Sequence, residues 1–254
     1  MQRTITYTLL ITCVLLLRSC KTHYSKVSYV AENLTVSESL NTPDNEVVQI
    51  YLPYKNILDK DMGRVISVSE TEMVKDKPES NLTNFLADLL LTEGQKVAVE
   101  KELGVKPDIS FFNYGGIRTY LPKGDITVGN IFELMPFENE MVYLRLTGEQ
   151  IQEFLDVVAD DGGDSVGGVR FVISNGKAKN VKVAGTPLAN DKQYWLVTND
   201  YVATGGDDLA VFTKRSEFIN SGEKIRDVII SYMEDRQKNG ENLMAEKDGR
   251  ISYE

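Results

Sequence analysis

From residue 45 to the C-terminus, apolar positions switch between a helical and an alternating spacing. Residues 45–58 are predicted as a helix, and GRVISVSETEM (63–73) alternates like a strand. Over 82–101, Phe85, Leu86, Leu89 and Leu90 recur at helical spacing with Leu82 one turn earlier, whereas DISFFN (108–113) reads as a buried strand. Thr127 opens a short helix over 127–135, and MVYLRLT (141–147) is a strand. Thr147-Gly148-Glu149-Gln150 is a capping box with Thr147 as N-cap, ahead of a helix burying Ile151, Phe154, Leu155 and Val158. A hairpin is predicted over 168–184 around an Asn175-Gly176 turn, then a strand over 193–203. An amphipathic helix over 222–237 uses Ile225, Val228, Ile229, Tyr232 and Met233, and GRISY closes as a strand. Strands alternating with helices, plus a hairpin, predict an α/β fold with a mixed (α+β) sheet and argue against a purely parallel one.

The N-terminus follows another pattern. Arg3 precedes a nine-residue apolar run, Leu9–Leu17, too short to span a bilayer but shaped like an export signal. Leu17-Arg18-Ser19-Cys20 resembles a bacterial lipobox, with Arg18 an unusual occupant. The expectation is a lipoprotein signal over 1–19, lipidation at Cys20, a polar tether over 20–44 and a domain over 45–254. The protein would then be an exported bacterial lipoprotein, periplasmic or displayed at the outer membrane or cell surface, held to the membrane by its N-terminal lipid. The only cysteines are Cys13 and Cys20, so disulfide or thiol chemistry is not expected in the domain. The single histidine, His23, falls in the tether and supplies no metal cage.

Charge narrows the partners. The formal net charge is −10, and losing Arg3 and Arg18 with a signal would deepen it. Such a chain repels nucleic-acid polymers and anionic surfaces, yet a few placed cations can still bind one small phosphate.

Three segments lie at the ends of strand-like runs and offer polar groups. In Asn113-Tyr114-Gly115-Gly116-Ile117-Arg118 the glycines allow close backbone approach, and Arg118 is a donor fork suited to phosphate or ribose oxygens. In Met135-Pro136-Phe137-Glu138-Asn139, Phe137 offers a ring face and Asn139 a donor and an acceptor. In Asn199-Asp200-Tyr201-Val202-Ala203-Thr204-Gly205-Gly206-Asp207-Asp208, Tyr201 offers a second ring, Gly205-Gly206 a second turn and Asp207 an acceptor for vicinal hydroxyls. Taken singly, each is weak evidence; a structural turn is the better reading of the first two (a solvated arginine; a core phenylalanine with a turn asparagine), and the third also reads as a glycine turn with solvated acids. The spacing of the third does not match an EF-hand calcium loop.

In this order and spacing, NYGGIR, PFEN and YVATGGDD resemble the C-terminal, substrate-recognition domain of the 5′-nucleotidase and UDP-sugar hydrolase family, over roughly residues 45–254. The resemblance implies a layered α/β/β/α sandwich. It also implies that Phe137 and Tyr201 stack on the two faces of a nucleobase, Asn139 reads its edge, Asp207 holds ribose hydroxyls and Arg118 faces the ribose-phosphate. Asn113, Gly115 and Gly116 would shape the pocket, with Gly206 in the turn beside Asp207. Asp161-Gly162-Gly163-Asp164 falls where the family has a loop near the base. Tyr201 stands where phenylalanine is more usual. Lys75, Lys77 and Glu79 occupy a stretch where the family commonly carries arginines, which lowers the expected phosphate affinity.

Hydrolysis in that family belongs to an N-terminal metallophosphatase domain with two divalent metals. With one histidine, no catalytic residue, cofactor or metal ligand is expected in this chain, and the metals are expected on a partner metallophosphatase. Three readings stay open: the nucleotide-recognition half of a 5′-nucleotidase whose catalytic half is a separate chain, a stand-alone nucleotide- or nucleoside-binding lipoprotein, and a relic with the fold but no ligand.

Overall fold

The computed structural model describes residues 45–254, with Ala31 and Asn33 before them. The chain divides into two units, Met1–Ile50 and Tyr51–Glu254. The expected signal, Cys20, His23 and all of the expected tether but Ala31 and Asn33 lie outside the described residues. Helix α1 (Asn45–Met62) buries none of its residues. In the second unit the order is β1 (Val65–Ser69), α2 (Asn81–Glu100), β2 (Ile109–Phe112), β3 (Gly124–Thr127), α3 (Val128–Leu134), β4 (Glu140–Thr147), α4 (Gly148–Asp160), β5 (Ser165–Gly167), β6 (Val169–Ser174), β7 (Lys177–Val183), β8 (Thr186–Pro187), β9 (Gln193–Asn199), α5 (Asp200–Ala203), β10 (Glu217–Lys224), α6 (Ile225–Lys238) and β11 (Ile251–Tyr253).

A five-stranded mixed sheet, ordered β10-β4-β9-β2-β5, is the frame. β2 and β9 are parallel, and β4 runs antiparallel to β9. Side chains alternate across this sheet as the pleat requires. Phe112, Tyr143 and Val197 join a core with α2 and α6, while Phe111, Val142, Leu144 and Leu196 join the opposite core with α4 and the β11-β6-β7-β8 sheet. Gly94 lets α2 approach closely, because a Cβ there would lie 3.0 Å from the Val197 side chain. The gap also lets the buried Tyr143 hydroxyl donate to the Gly94 carbonyl at 2.7 Å.

Local signals explain the ends of several elements. Thr147 accepts from the Gln150 N–H and Gln150 reaches back, closing the expected box. Thr127 with Asn130, and Ser80 with Thr83, build the same device on α3 and α2. Asn175 and Gly176 take φ of 51° and 70°, as a tight hairpin turn requires.

Some expectations need correction. The strand predicted over 193–203 stops at Asn199, whose side chain accepts from the Val202 N–H and caps α5. Residues 222–224 belong to β10, an edge strand too polar to stand out in the sequence, which pairs with β4. The short strands β3, β5 and β8 exist only through their pairing partners.

Candidate functional site: a cavity at one end of the mixed sheet

The sheet topology gathers the three polar segments. Because β2 and β9 are parallel neighbours, the chain leaves both at the same end, through Asn113 and Asn199. Met141 of β4 pairs with Asn199 in the antiparallel direction, so the segment entering β4, Pro136–Asn139, arrives at that end too. A cavity of about 450 Å³ opens between them, lined by residues that include Asn113, Gly115, Gly116, Arg118, Phe137, Asn139, Tyr201 and Asp207. Eight of the nine residues named from sequence therefore share one cavity. The ninth, Gly206, lies against the Tyr201 ring, where a Cβ would sit 2.6 Å from Cζ.

Side-chain hydrogen bonds tie the walls together. Asn199 Nδ2 donates to Asn113 Oδ1 at 3.0 Å, and Asn113 Nδ2 donates to Asp207 Oδ2 at 2.6 Å. The Tyr201 hydroxyl donates to the other carboxylate oxygen, Oδ1, at 2.9 Å. That hydrogen bond raises the Tyr201 pKa above its ordinary value, so the phenol keeps its proton beside the carboxylate. Asp207 and Asp208 adopt φ of 54° and 60°, the left-handed region that aspartate tolerates in a turn. Asn139 Nδ2 donates to Asp200 Oδ1 at 2.9 Å, which fixes its amide at the rim.

The rings of Phe137 and Tyr201 are 50% and 49% exposed. Half-exposed aromatic faces over a cavity are surface that a flat ligand can cover. The carbonyls of the Asn113–Arg118 turn are covered by cations: Arg118 Nη1 donates to Gly115 at 3.0 Å, and Lys75 Nζ donates to Ile117 at 2.6 Å and to Tyr114 at 3.1 Å. Burial, then the nearby Arg118 charge, lowers the Lys75 pKa. Lys75 thus braces the turn from behind and is not among the residues lining the cavity.

The Asp161–Asp164 loop meets the far side of the same turn. Lys77 Nζ reaches the Asp161 carbonyl and lies 5.0 Å from the centroid of the Tyr114 ring. Burial of the Asp164 carboxyl pushes its pKa up to about 7, against the opposing hydrogen bonds from the Ser165 and Tyr114 backbone. This loop borders a second, acidic cavity of about 1170 Å³, which shares Gly115 and Asp207 with the first.

Met135, Asn199, Ile225 and Arg226 also line the smaller cavity and were not singled out from sequence. Asn199 stood inside a quoted segment, but nothing local marks Ile225 or Arg226, which arrive from the start of α6. Among the described residues, no group of three or more His, Cys, Asp or Glu side chains is arranged to hold a metal ion. The described residues do not fit a two-metal centre.

The family model described as 5′-nucleotidase, C-terminal domain, matches residues 61–214. The chain belongs to this family. A 5′-nucleotidase of Vibrio vulnificus is 26% identical over 221 residues, which are 85% of this chain and 39% of that protein. The trifunctional nucleotide phosphoesterase protein YfkN of Bacillus subtilis is 32% identical over 198 residues, 72% of this chain and 13% of that protein. Among solved structures, a 5′-nucleotidase precursor from Thermus thermophilus superposes with a TM-score of 0.68 at 26% identity, covering 83% of this chain and 43% of that one. The chain thus spans under half the length of these relatives. The mixed α/β architecture is that of the 5′-nucleotidase C-terminal domain.

Proposed function

We propose that this 5′-nucleotidase-family domain recognises a nucleotide at the end of its mixed sheet, while a metallophosphatase domain outside these residues, on a partner chain, hydrolyses it. One observation carries the reading: two half-exposed rings, Phe137 and Tyr201, share a single cavity with Asn139, Asp207 and Arg118. The rings stack on the two faces of the base, worth about 1–3 kcal/mol per base. Asn139, oriented by Asp200, bonds the base edge. Asp207, held from behind by Asn113 and Tyr201, accepts from ribose hydroxyls through its remaining lone pairs. Arg118 faces the phosphate. The kinship with the longer 5′-nucleotidases supports a metallophosphatase partner that brings the divalent metals.

Calorimetry with nucleosides, AMP and UDP-sugars tests recognition directly; no heat with any of them at millimolar concentration refutes it. Mixing the protein with a metallophosphatase half, a divalent cation and AMP is expected to release phosphate, and the protein alone to release none. Phosphate from the purified chain alone overturns the division of labour. The N-terminal pattern further supports export and lipid attachment at Cys20. Metabolic labelling with a radioactive fatty acid is expected to mark the wild type but not Cys20→Ala, and equal labelling of both discards the anchor.

A further inference from the structure

Arg226 is the least expected residue at the cavity. It sits in the first turn of α6, and its side chain is only 7% exposed. A buried guanidinium must be paired or it destabilises the fold. Here almost all its bonds go to one short segment. Nη1 donates to the Met135 carbonyl at 3.4 Å and the Pro136 carbonyl at 3.3 Å, and Nη2 donates to Glu138 Oε1. The plane lies 4.0 Å from the centroid of Phe132, in the helix that delivers the segment. On either side of Arg226 the grip continues: Lys224 Nζ pairs with Glu138 Oε2, and the Ile225 N–H donates to the Asn139 carbonyl at 3.0 Å. Phe137, between these anchors, is half exposed, so packing gives its ring only partial support. Its position must come mainly from its backbone.

We propose that Arg226, with Glu138 as its acceptor, is a positioning residue that fixes the Met135–Asn139 segment and so sets the placement of the Phe137 ring for a nucleobase. This rests on the nucleotide reading above. Arg226 borders the cavity, but its Nη donors are turned to the Met135, Pro136 and Glu138 acceptors, and its remaining nitrogen, Nε, is buried.

The test compares wild type, Arg226→Ala, Arg226→Lys and Phe137→Ala, singly and combined, in the full chain. The probes are AMP and ribose 5-phosphate, which lacks the base. Arg226→Ala is expected to weaken AMP binding about tenfold, the lower end of a lost base stack, and to leave ribose 5-phosphate unchanged. Arg226→Lys recovers part of the loss. In the Phe137→Ala background, Arg226→Ala adds less than about twofold, the signature of two residues acting through one contact. An equal loss for both probes, or the full tenfold loss in the Phe137→Ala background, overturns the proposal. Hydrogen exchange separates this from failure of the nucleotide reading. Without any ligand, Arg226→Ala is expected to speed exchange of the Ile225 amide about tenfold as the segment loosens, and unchanged exchange refutes the grip even if AMP binds. Should Arg226→Ala not fold, Glu138→Gln, at an exposed side chain, is expected to give the same pattern at about threefold, since a neutral acceptor bonds roughly half as strongly. No change in that variant sinks the idea.

Discussion

Around Arg250 and around Asp207 the protein gathers similar polar groups for opposite ends. Arg250 lies just before β11 with its side chain 8% exposed. It makes a two-pronged pair with Asp88 of α2 at 2.7 and 2.8 Å, bonds both oxygens of Asp248 and donates to the Val166 carbonyl. Beside it the buried Glu79 accepts from Asn84 Nδ2 and from the Gly249 and Arg250 amides. Each strong donor there faces a protein acceptor, and the cluster ties the C-terminal segment to α2. At the cavity the polar groups have fewer partners: Asp207 bonds Asn113 and Tyr201, and Asn139 bonds Asp200. Asp207 and Asn139 keep unused hydrogen-bonding capacity there, and Phe137 and Tyr201 stay half exposed. Full pairing marks the framework, and partial pairing marks the candidate site.

The sharpest way to break this contrast is to remove a member of each region. Arg250→Met should lower unfolding stability by roughly 2–3 kcal/mol, the scale of charged hydrogen bonds lost from a buried group. Its effect on AMP affinity should be small. Chemical denaturation and calorimetry on the same samples read both quantities, and a loss of affinity without loss of stability would reverse the assignment. Phe137→Ala and Tyr201→Ala should do the opposite. Each is expected to weaken AMP about tenfold while changing stability by no more than about 0.5 kcal/mol, as for other exposed positions. Unchanged affinity in both discards the stacking.

Asp164 lies between the two classes, half-buried and placed in the loop beside the Asn113–Arg118 turn. Its folded pKa of about 7 stands above that of an unfolded aspartate. Between about pH 4 and pH 7 the unfolded chain ionises this group while the folded chain keeps the proton. Its contribution to stability is thus fully present below pH 4, falls as pH rises through that window, and is flat above 7. Asp164→Asn should flatten the wild-type pH dependence by at most about 1.4 kcal/mol per pH unit. Parallel curves for the two proteins would show that Asp164 ionises freely.

Much of the fold was legible because the signals are short. The Thr147 box, the Asn175-Gly176 turn and the helical spacing of Phe85, Leu86, Leu89 and Leu90 each involve residues a few positions apart. Eight of the nine residues named from sequence line one cavity, and they could be named for a related reason: each segment is contiguous and carries its polar and aromatic groups within a few residues. QYWLVTNDYVA misled because apolar and aromatic residues continue past Asn199. The chain turns there once the Asn199 side chain accepts from Val202 and reaches Asn113, which is 86 residues away. The polar strand β10 formed because Glu217–Asn220 found β4 to pair with, which no local pattern announces.

The order of residues therefore settled which local structures form and which short segments offer polar and aromatic groups. Only the tertiary structure decided that those side chains meet. Parallel pairing of β2 with β9 and antiparallel entry of β4 bring three distant segments to one edge, and α6 adds Arg226 beneath them. Capping bonds and apolar periodicity act over one or two turns of chain. A cavity depends on contacts between residues that the backbone keeps far apart until the sheet has formed.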